Sequence, residues 1–442
     1  MLYLEARHAL CGSTSIEYYL YHPRPPMQGD ELVKSGYSMP TTDTAPATLV
    51  CEQTAAAVSR AGADTPRFYR PELDALRFVA FLCVFACHAL PFPGSGHATS
   101  FEGPAWRLMQ TIRESGNFGV SLFFVLSAYL ITELLRREKL ATSDINLKAF
   151  YVRRILRIWP LYFFMLLLCW VLGPFVSFLH MEPGQVLANL FFYGNWYIAA
   201  HFGSALALSY LWSISVEEQF YIAWPSIVKF ADRTRASPLL VPGACIPLTL
   251  AAIAILTQHR QHLDVTVWLN SVVQFQFFAL GAIFAFALRG EAPKISRRTR
   301  IALWIGGAGS WIVASGVCRI KSPNAEVGPL RMCVGFELVA LGCTLFFFGV
   351  LGIATKYVPK PARYLGKISY GLYIFHGIAL FITAALRKAA EHGDGSSLLV
   401  FASDRVLALV LTILLAALSY KYLETPFLKL KDRFALIESR AI

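Results

Sequence analysis

Three groupings in this 442-residue chain have residue types and spacing suited to proton transfer or anion recognition. The first is Arg77 and His88 in "RPELDALRFVAFLCVFACHAL", eleven positions apart. Eleven helical steps of 100° return them to within about 20° of one face, with a rise of about 16 Å. A neutral imidazole in an apolar setting is a competent general base and also a nucleophile. The same pair reads equally well as an interfacial arginine anchoring a helix and a histidine bonded to a nearby carbonyl. Asp74, one turn before Arg77, is placed to pair with it. The second grouping is Glu217 and Glu218, side by side in the apolar "LWSISVEEQFYIAWP". Neighbouring helical residues point about 100° apart, so one acid can serve a site while the other belongs to a structural network. Tyr221 shares the face of Glu217, and Ser215 that of Glu218. The third is "FYVRRILRIWPLYF", where Arg154 and Arg157 share a face and Arg153 is adjacent. Guanidinium forks suit phosphate, and anchoring at the membrane edge accounts for some of these charges as well. Ser369, Tyr373 and His376 in "ISYGLYIFHG" recur at i, i+4 and i+7, a pattern read first as hydrogen bonding between helices. Glu337 is expected to partner a buried cation.

The elements that must hold these groups are membrane helices. The chain is 56% hydrophobic and only 15% charged, against about one-quarter charged in soluble proteins. Apolar runs near 76–93, 118–135, 159–179, 211–230, 239–257, 267–288, 301–317, 330–351, 366–386 and 401–420 predict an all-α polytopic membrane protein with about ten transmembrane helices. The run 186–200 is short for a span and is expected to be interfacial or re-entrant. With the N-terminus inside, the cytoplasmic segments carry 23 Lys/Arg and the opposite loops seven, which places both termini in the cytoplasm. An eleventh span would put three of the basic segments outside. A charge at the bilayer centre costs roughly 2.5–3.5 kcal/mol, so the groups above are functional candidates by default.

The excess of 40 Lys+Arg over 28 Asp+Glu comes with no nucleic-acid motif and follows the loop bias instead. The nine cysteines lack metal-ligand spacing and suggest no disulfide framework; no metal is expected. "GGAGS" (306–310) lacks a phosphate-loop pattern and reads as close helix packing, and no inverted repeat is evident. Residues 1–66, polar and rich in Pro, Thr and Ala, are expected to be a disordered cytoplasmic tail, with Met27 or Met39 as an alternative start.

In order along the chain, "YRPELDALRFVAFLCVFACH", "FGVSLFFVLSAYLIT", "YVRRILRIWPLY", "GNWY", "LWSISVEEQFYIAWP", "ISYGLYIFH" and "LSYKYLETPF" resemble the membrane-bound acyltransferase 3 family, which includes O-antigen, Nod-factor and macrolide acyltransferases. Ala128 stands where that pattern usually has Gly. The resemblance assigns 67–432 to a transmembrane acyltransferase domain and leaves 433–442 as a short cytoplasmic tail. It implies transfer of an acyl group, usually acetyl, from cytoplasmic acetyl-CoA or another acyl-CoA to a hydroxyl of a glycan or related acceptor, in the bacterial inner membrane. Some members carry an added SGNH-type domain, and too few residues follow the match here to hold one. On this reading Arg154 and Arg157 bind the donor phosphates, with Arg77 at the channel mouth. His88 is the general base or forms an acyl-histidine, and Glu217 or Glu218 orients it as the acid does in a hydrolase triad. Asp74, Tyr221 and His376 are assigned to substrate. The rival class is a proton-coupled transporter, in which intramembrane acids and histidines are common but an Arg-x-x-Arg anion site has no purpose.

Overall fold

A proline in the first turn starts the helix that carries the Arg–His pair: α1, Pro71–Ala89, continuous through both residues. Proline opens α2, Pro104–Gly116, in the same way, and α3, Phe118–Thr142, follows it after one residue. The side chain of Asn146 caps α4, Leu147–Leu172, by accepting from the Ala149 amide, which fixes where the arginine-bearing turn begins. Next come α5, Pro183–Leu190, and α6, Gly194–Ala200. The glutamate-bearing α7 is Trp212–Arg233, followed by α8, Leu240–Leu256, and α9, Leu263–Leu269. Then follow α10, Ser271–Leu288, α11, Arg297–Gly316, and α12, Pro329–Val350. The chain closes with α13, Lys360–Lys367, α14, Ser369–Ala390, α15, Leu398–Ser419, and, after a π-helical stretch Tyr420–Glu424, α16, Thr425–Asp432. This computed structural model describes residues 68–90, 103–201, 208–234, 237–258, 263–321, 327–390 and 398–434, with Ile437.

Every regular element among the described residues is helical. Each of the ten apolar runs overlaps one of these helices, and six stretches are long and apolar enough to cross a membrane. The remaining helices are shorter or more polar, as α1 and α7 are because they hold the charged groups at issue. Large apolar side chains stand exposed along the outer helices, among them Leu167, Trp170, Ile305, Val406 and Leu414, a surface that a bilayer covers. The run 186–200 is two short helices broken at Phe192, whose φ is +54°, so it is no continuous span. The expected span 267–288 is likewise interrupted, at Asn270, whose side chain caps α10. The expected tail 1–66 and most of 433–442 lie outside the described residues.

The core is built by close pairs of helices: α11 with α12, α3 with α10, α14 with α15, and α1 with α3 and α13. "GGAGS" acts as read, since a Cβ at Gly307 would come within 3.0 Å of the Phe346 ring on α12. Ala128, standing in for a glycine, packs against α10 at Gly281, where a Cβ would overlap the Val125 carbonyl of α3. The small residue needed at this crossing is supplied by the facing helix. Glu337 departs from expectation: it is exposed on α12 and makes no ion pair among the described residues. Seven of the nine cysteines are free thiols among the described residues.

Candidate functional site

The first turns of α1, the middle of α3, the N-terminal half of α4, Tyr221 of α7 and Lys431 of α16 line a cavity open to solvent. Asp74, Arg77, Arg153, Arg154 and Arg157 all line it. These arginines are not equivalent. Arg153 donates to the buried carboxylate of Glu138 at 2.8 Å and to the Phe434 carbonyl at 2.9 Å, which commits it to structure. Arg154 lies over the rings of Phe150 and Tyr221, 5.5 and 5.7 Å from their centroids. The Nε atoms of Arg77 and Arg154 are buried with no hydrogen-bond partner among the described residues, and Arg154 and Arg157 have no carboxylate within ion-pair distance there. Guanidinium donors left in this state have the chemistry to take an anion.

A second chamber shares Arg77, Ser127, Arg154, Arg157 and Tyr221 with the first and extends to Ser213, Glu217, Tyr370 and Tyr373. The two form one passage, basic at one end. Glu217 points into it: one carboxylate oxygen accepts from Ser127 Oγ at 2.6 Å and from the Tyr221 hydroxyl, so the four-residue spacing of Glu217 and Tyr221 is realised as a hydrogen bond. Glu218 turns the other way, is buried, and accepts from Trp159 Nε1 of α4 at 3.2 Å. The passage ends at Tyr373, whose hydroxyl bonds Ser213 Oγ at 2.7 Å and the Tyr210 carbonyl at 2.5 Å. Helix-to-helix bonding, as read for this face, is what Tyr373 does.

His88 lies beyond that end and lines neither chamber. It is exposed near the C-terminus of α1, with Nδ1 2.9 Å from the Val84 carbonyl. A carbonyl only accepts, so Nδ1 carries the hydrogen and Nε2 presents a lone pair. Neither glutamate hydrogen-bonds His88, which corrects the triad-like pairing expected from sequence: Glu217 is held by Tyr221 and Ser127, and Glu218 by Trp159. The group beside His88 is His376, at a ring-centroid distance of 5.0 Å. His376 packs in turn against Tyr373 and Tyr210, at 5.5 and 4.7 Å. The structure therefore brings Asp74, Arg77, Arg154, Arg157, Glu217 and Tyr221 together in the passage, and places His88 and His376 as a pair past Tyr373.

Three residues of this region escaped the sequence reading. In the sequence Ser127 is a lone hydroxyl in an apolar helix, and Lys431 is one charge among several in a basic tail. Glu424, buried at the end of the π-helical stretch, lies where a Cβ at Gly371 would come within 3.4 Å of its carboxylate. The signal for all three was polarity inside an otherwise apolar context, and for Glu424 its place in "LSYKYLETPF". Among the described residues no cluster of His, Cys, Asp or Glu is arranged to hold a metal ion.

A family model described as an acyltransferase domain matches residues 70–421. The peptidoglycan O-acetyltransferase OatA of Listeria monocytogenes is 27% identical over 391 residues, covering 82% of this chain and 56% of that protein. The O-acetyltransferase OatA of Staphylococcus aureus is 28% identical over 387 residues, covering 83% and 58% respectively. The chain thus spans a little over half the length of these relatives. No solved structure matches it.

Proposed function

The chain belongs to the acyltransferase domain family, and from that premise we propose that it is an integral membrane O-acyltransferase that moves an acyl group, acetyl in the first instance, from cytoplasmic acyl-CoA to a hydroxyl of a glycan. The names of the two OatA relatives favour an acetyl group, and that of the Listeria protein a cell-wall glycan as acceptor. Ten spans with both termini inside a plasma membrane fit the distribution of basic residues.

The observation that carries this reading is the passage itself, lined by Arg77 and Arg154, whose Nε atoms have no partner among the described residues, and farther in by a carboxylate and hydroxyls. CoA is polyanionic and too costly to bring into hydrocarbon, so its phosphates stay with Arg77, Arg154, Arg157 and Lys431 while the pantetheine arm runs past Ser127 and Tyr221. Arg154 and Arg157 act as forks on phosphate oxygens, and Lys431 as a point charge. At the far end the acceptor hydroxyl gives its proton to His88 Nε2 as its oxygen attacks the thioester carbonyl. The carbon–sulfur bond breaks, and the departing thiolate takes that proton. The Nδ1–H bond to Val84 holds the imidazole in the tautomer this step needs. Glu217, fixed by Tyr221 and Ser127, sits on the donor route rather than on His88.

The test is equilibrium binding and turnover of labelled acetyl-CoA by the purified protein in vesicles, with cell-wall glycan as acceptor. Saturable binding, lost when Arg154 and Arg157 are both replaced by Ala, supports the reading. A folded wild type that binds no acyl-CoA turns the weight to proton-coupled transport.

A further inference from the structure

The face of α7 that carries Ser215 and Glu218 turns away from the passage and holds an arrangement that acyl transfer does not use. Glu218 is 4% and Ser215 0% exposed. Trp159 Nε1 satisfies one oxygen of the Glu218 carboxylate. The other, Oε1, is buried with no hydrogen-bond partner among the described residues, and so is Ser215 Oγ. Tyr162 of α4, one turn beyond Trp159, feels both Ser215 and Glu218. Its hydroxyl donates to the Asn189 carbonyl at 2.9 Å and lies 3.5 Å from Asn189 Oδ1. A Cβ at Gly194 would overlap Asn189 Oδ1 and come within 3.2 Å of Ser215 Oγ, so both oxygens border the space beside this glycine. Phe192, where α5 and α6 break, packs against Trp159 and Tyr162 at 5.8 and 5.1 Å. Side-chain oxygens from α4, α5 and α7 thus gather at the break.

Three occupants would complete Glu218: a proton, a water or a cation. A proton on Oε1 makes it a donor with no acceptor in reach among the described residues. A water supplies hydrogen bonds but leaves a buried carboxylate without a counter-charge, which is costly. Arg154, whose charge reaches Glu218, makes no ion pair with it and lines the passage instead. A cation answers both needs. Hard cations take oxygen ligands, and a divalent ion draws on more carboxylate charge than the one acid here. Broken helices buried inside a membrane bundle are also where such proteins hold sodium, with neutral oxygens around the ion. We propose that Glu218 Oε1, Ser215 Oγ, Asn189 Oδ1 and the Tyr162 hydroxyl oxygen bind a monovalent alkali cation that fastens the broken pair α5–α6 to α4 and α7. The ion takes no part in the chemical step, and the inference stands apart from the acyl-transfer reading.

The experiment follows thermal unfolding of the full-length protein in detergent, in sodium, potassium or N-methylglucamine chloride at equal ionic strength, beside equilibrium binding of radiolabelled sodium. Wild type is expected to melt about 3 °C or more higher with an alkali cation than with N-methylglucamine, saturably, and to bind sodium. Glu218→Gln keeps an acceptor for Trp159 and needs no counter-charge, so it is expected to fold and to lose both the shift and the binding. Ser215→Ala, which removes one neutral ligand, is expected to weaken sodium binding about tenfold. Glu337→Gln, a second membrane carboxylate far from the break in sequence, is expected to respond as wild type does. A wild type indifferent to the cation overturns the proposal, because a water then suffices at Glu218. A response that survives in Glu218→Gln also overturns it, because the ion then lies elsewhere. Should Glu218→Gln not fold, Ser215→Ala decides: wild-type sodium affinity there overturns the assignment, and a tenfold loss with an unchanged Glu337→Gln supports it.

Discussion

At the scale of residues, adjacent side chains of one type take different work because of what faces them. Arg153 and Arg154 are neighbours, yet Arg153 is bound to Glu138 of α3 and Arg154 to no carboxylate among the described residues. Arg154→Ala or Arg157→Ala is expected to weaken acetyl-CoA binding about tenfold or more each, the loss of a charge-assisted hydrogen bond, with little change in folding. Arg153→Ala is expected to do the reverse: it strands a buried carboxylate, lowers thermal stability by about 3 kcal/mol, and leaves donor affinity in the surviving folded protein nearly unchanged. Isothermal titration beside a detergent unfolding curve separates the two. The glutamates divide likewise. Glu217→Ala is expected to cut turnover at least about tenfold, because the acceptor that gathers Ser127 and Tyr221 is lost, while Glu218→Gln keeps an acceptor for Trp159 and stays within about threefold of wild type. Sequence spacing showed that the two acids must diverge and that Tyr221 goes with Glu217. It did not show which faces the passage, because that depends on Trp159 and Ser127, brought from 59 and 90 positions away by the fold.

At the scale of elements, two local features set the arginine-lined end of the passage. One is Gly366 on α13, where a Cβ would overlap the Asp74 carbonyl of α1, one turn below Arg77. Gly366→Ala must push α13 away from α1, and the expected result is a loss of about 1–3 kcal/mol of stability together with weaker acetyl-CoA binding. Unfolding in detergent and titration of the same sample check both parts. The other is the π-helical stretch Tyr420–Glu424, which sets the phase of α16 and so brings Lys431 to the cavity. Deleting one residue there turns everything beyond it by about 100°. Donor affinity is expected to fall several-fold, and Lys431→Ala in the undeleted protein is expected to match that fall. Helix positions were legible from apolar length. The breaks at Phe192 and Asn270 were not, since length alone does not distinguish one helix from two in succession.

At the scale of the molecule, Tyr373 lines the passage and packs against His376 of the histidine pair, and under the proposed function the passage is the approach of an anionic donor and the histidine side that of a hydroxyl acceptor. The general plan was legible: composition led to a membrane bundle, ordered motifs to the family, and the Arg–His spacing to two groups on one helix at different depths. The His88–His376 contact was not, because its members lie 288 positions apart on helices whose packing no local pattern encodes. The central claim is a division of labour between arginines that hold the donor and a histidine that moves the proton. Acetyl-CoA binding and turnover by His88→Ala in vesicles, beside wild type, tests it most directly. Binding within about twofold of wild type and turnover reduced more than about a hundredfold are expected. Turnover at the wild-type rate in a folded, inserted His88→Ala protein would contradict it.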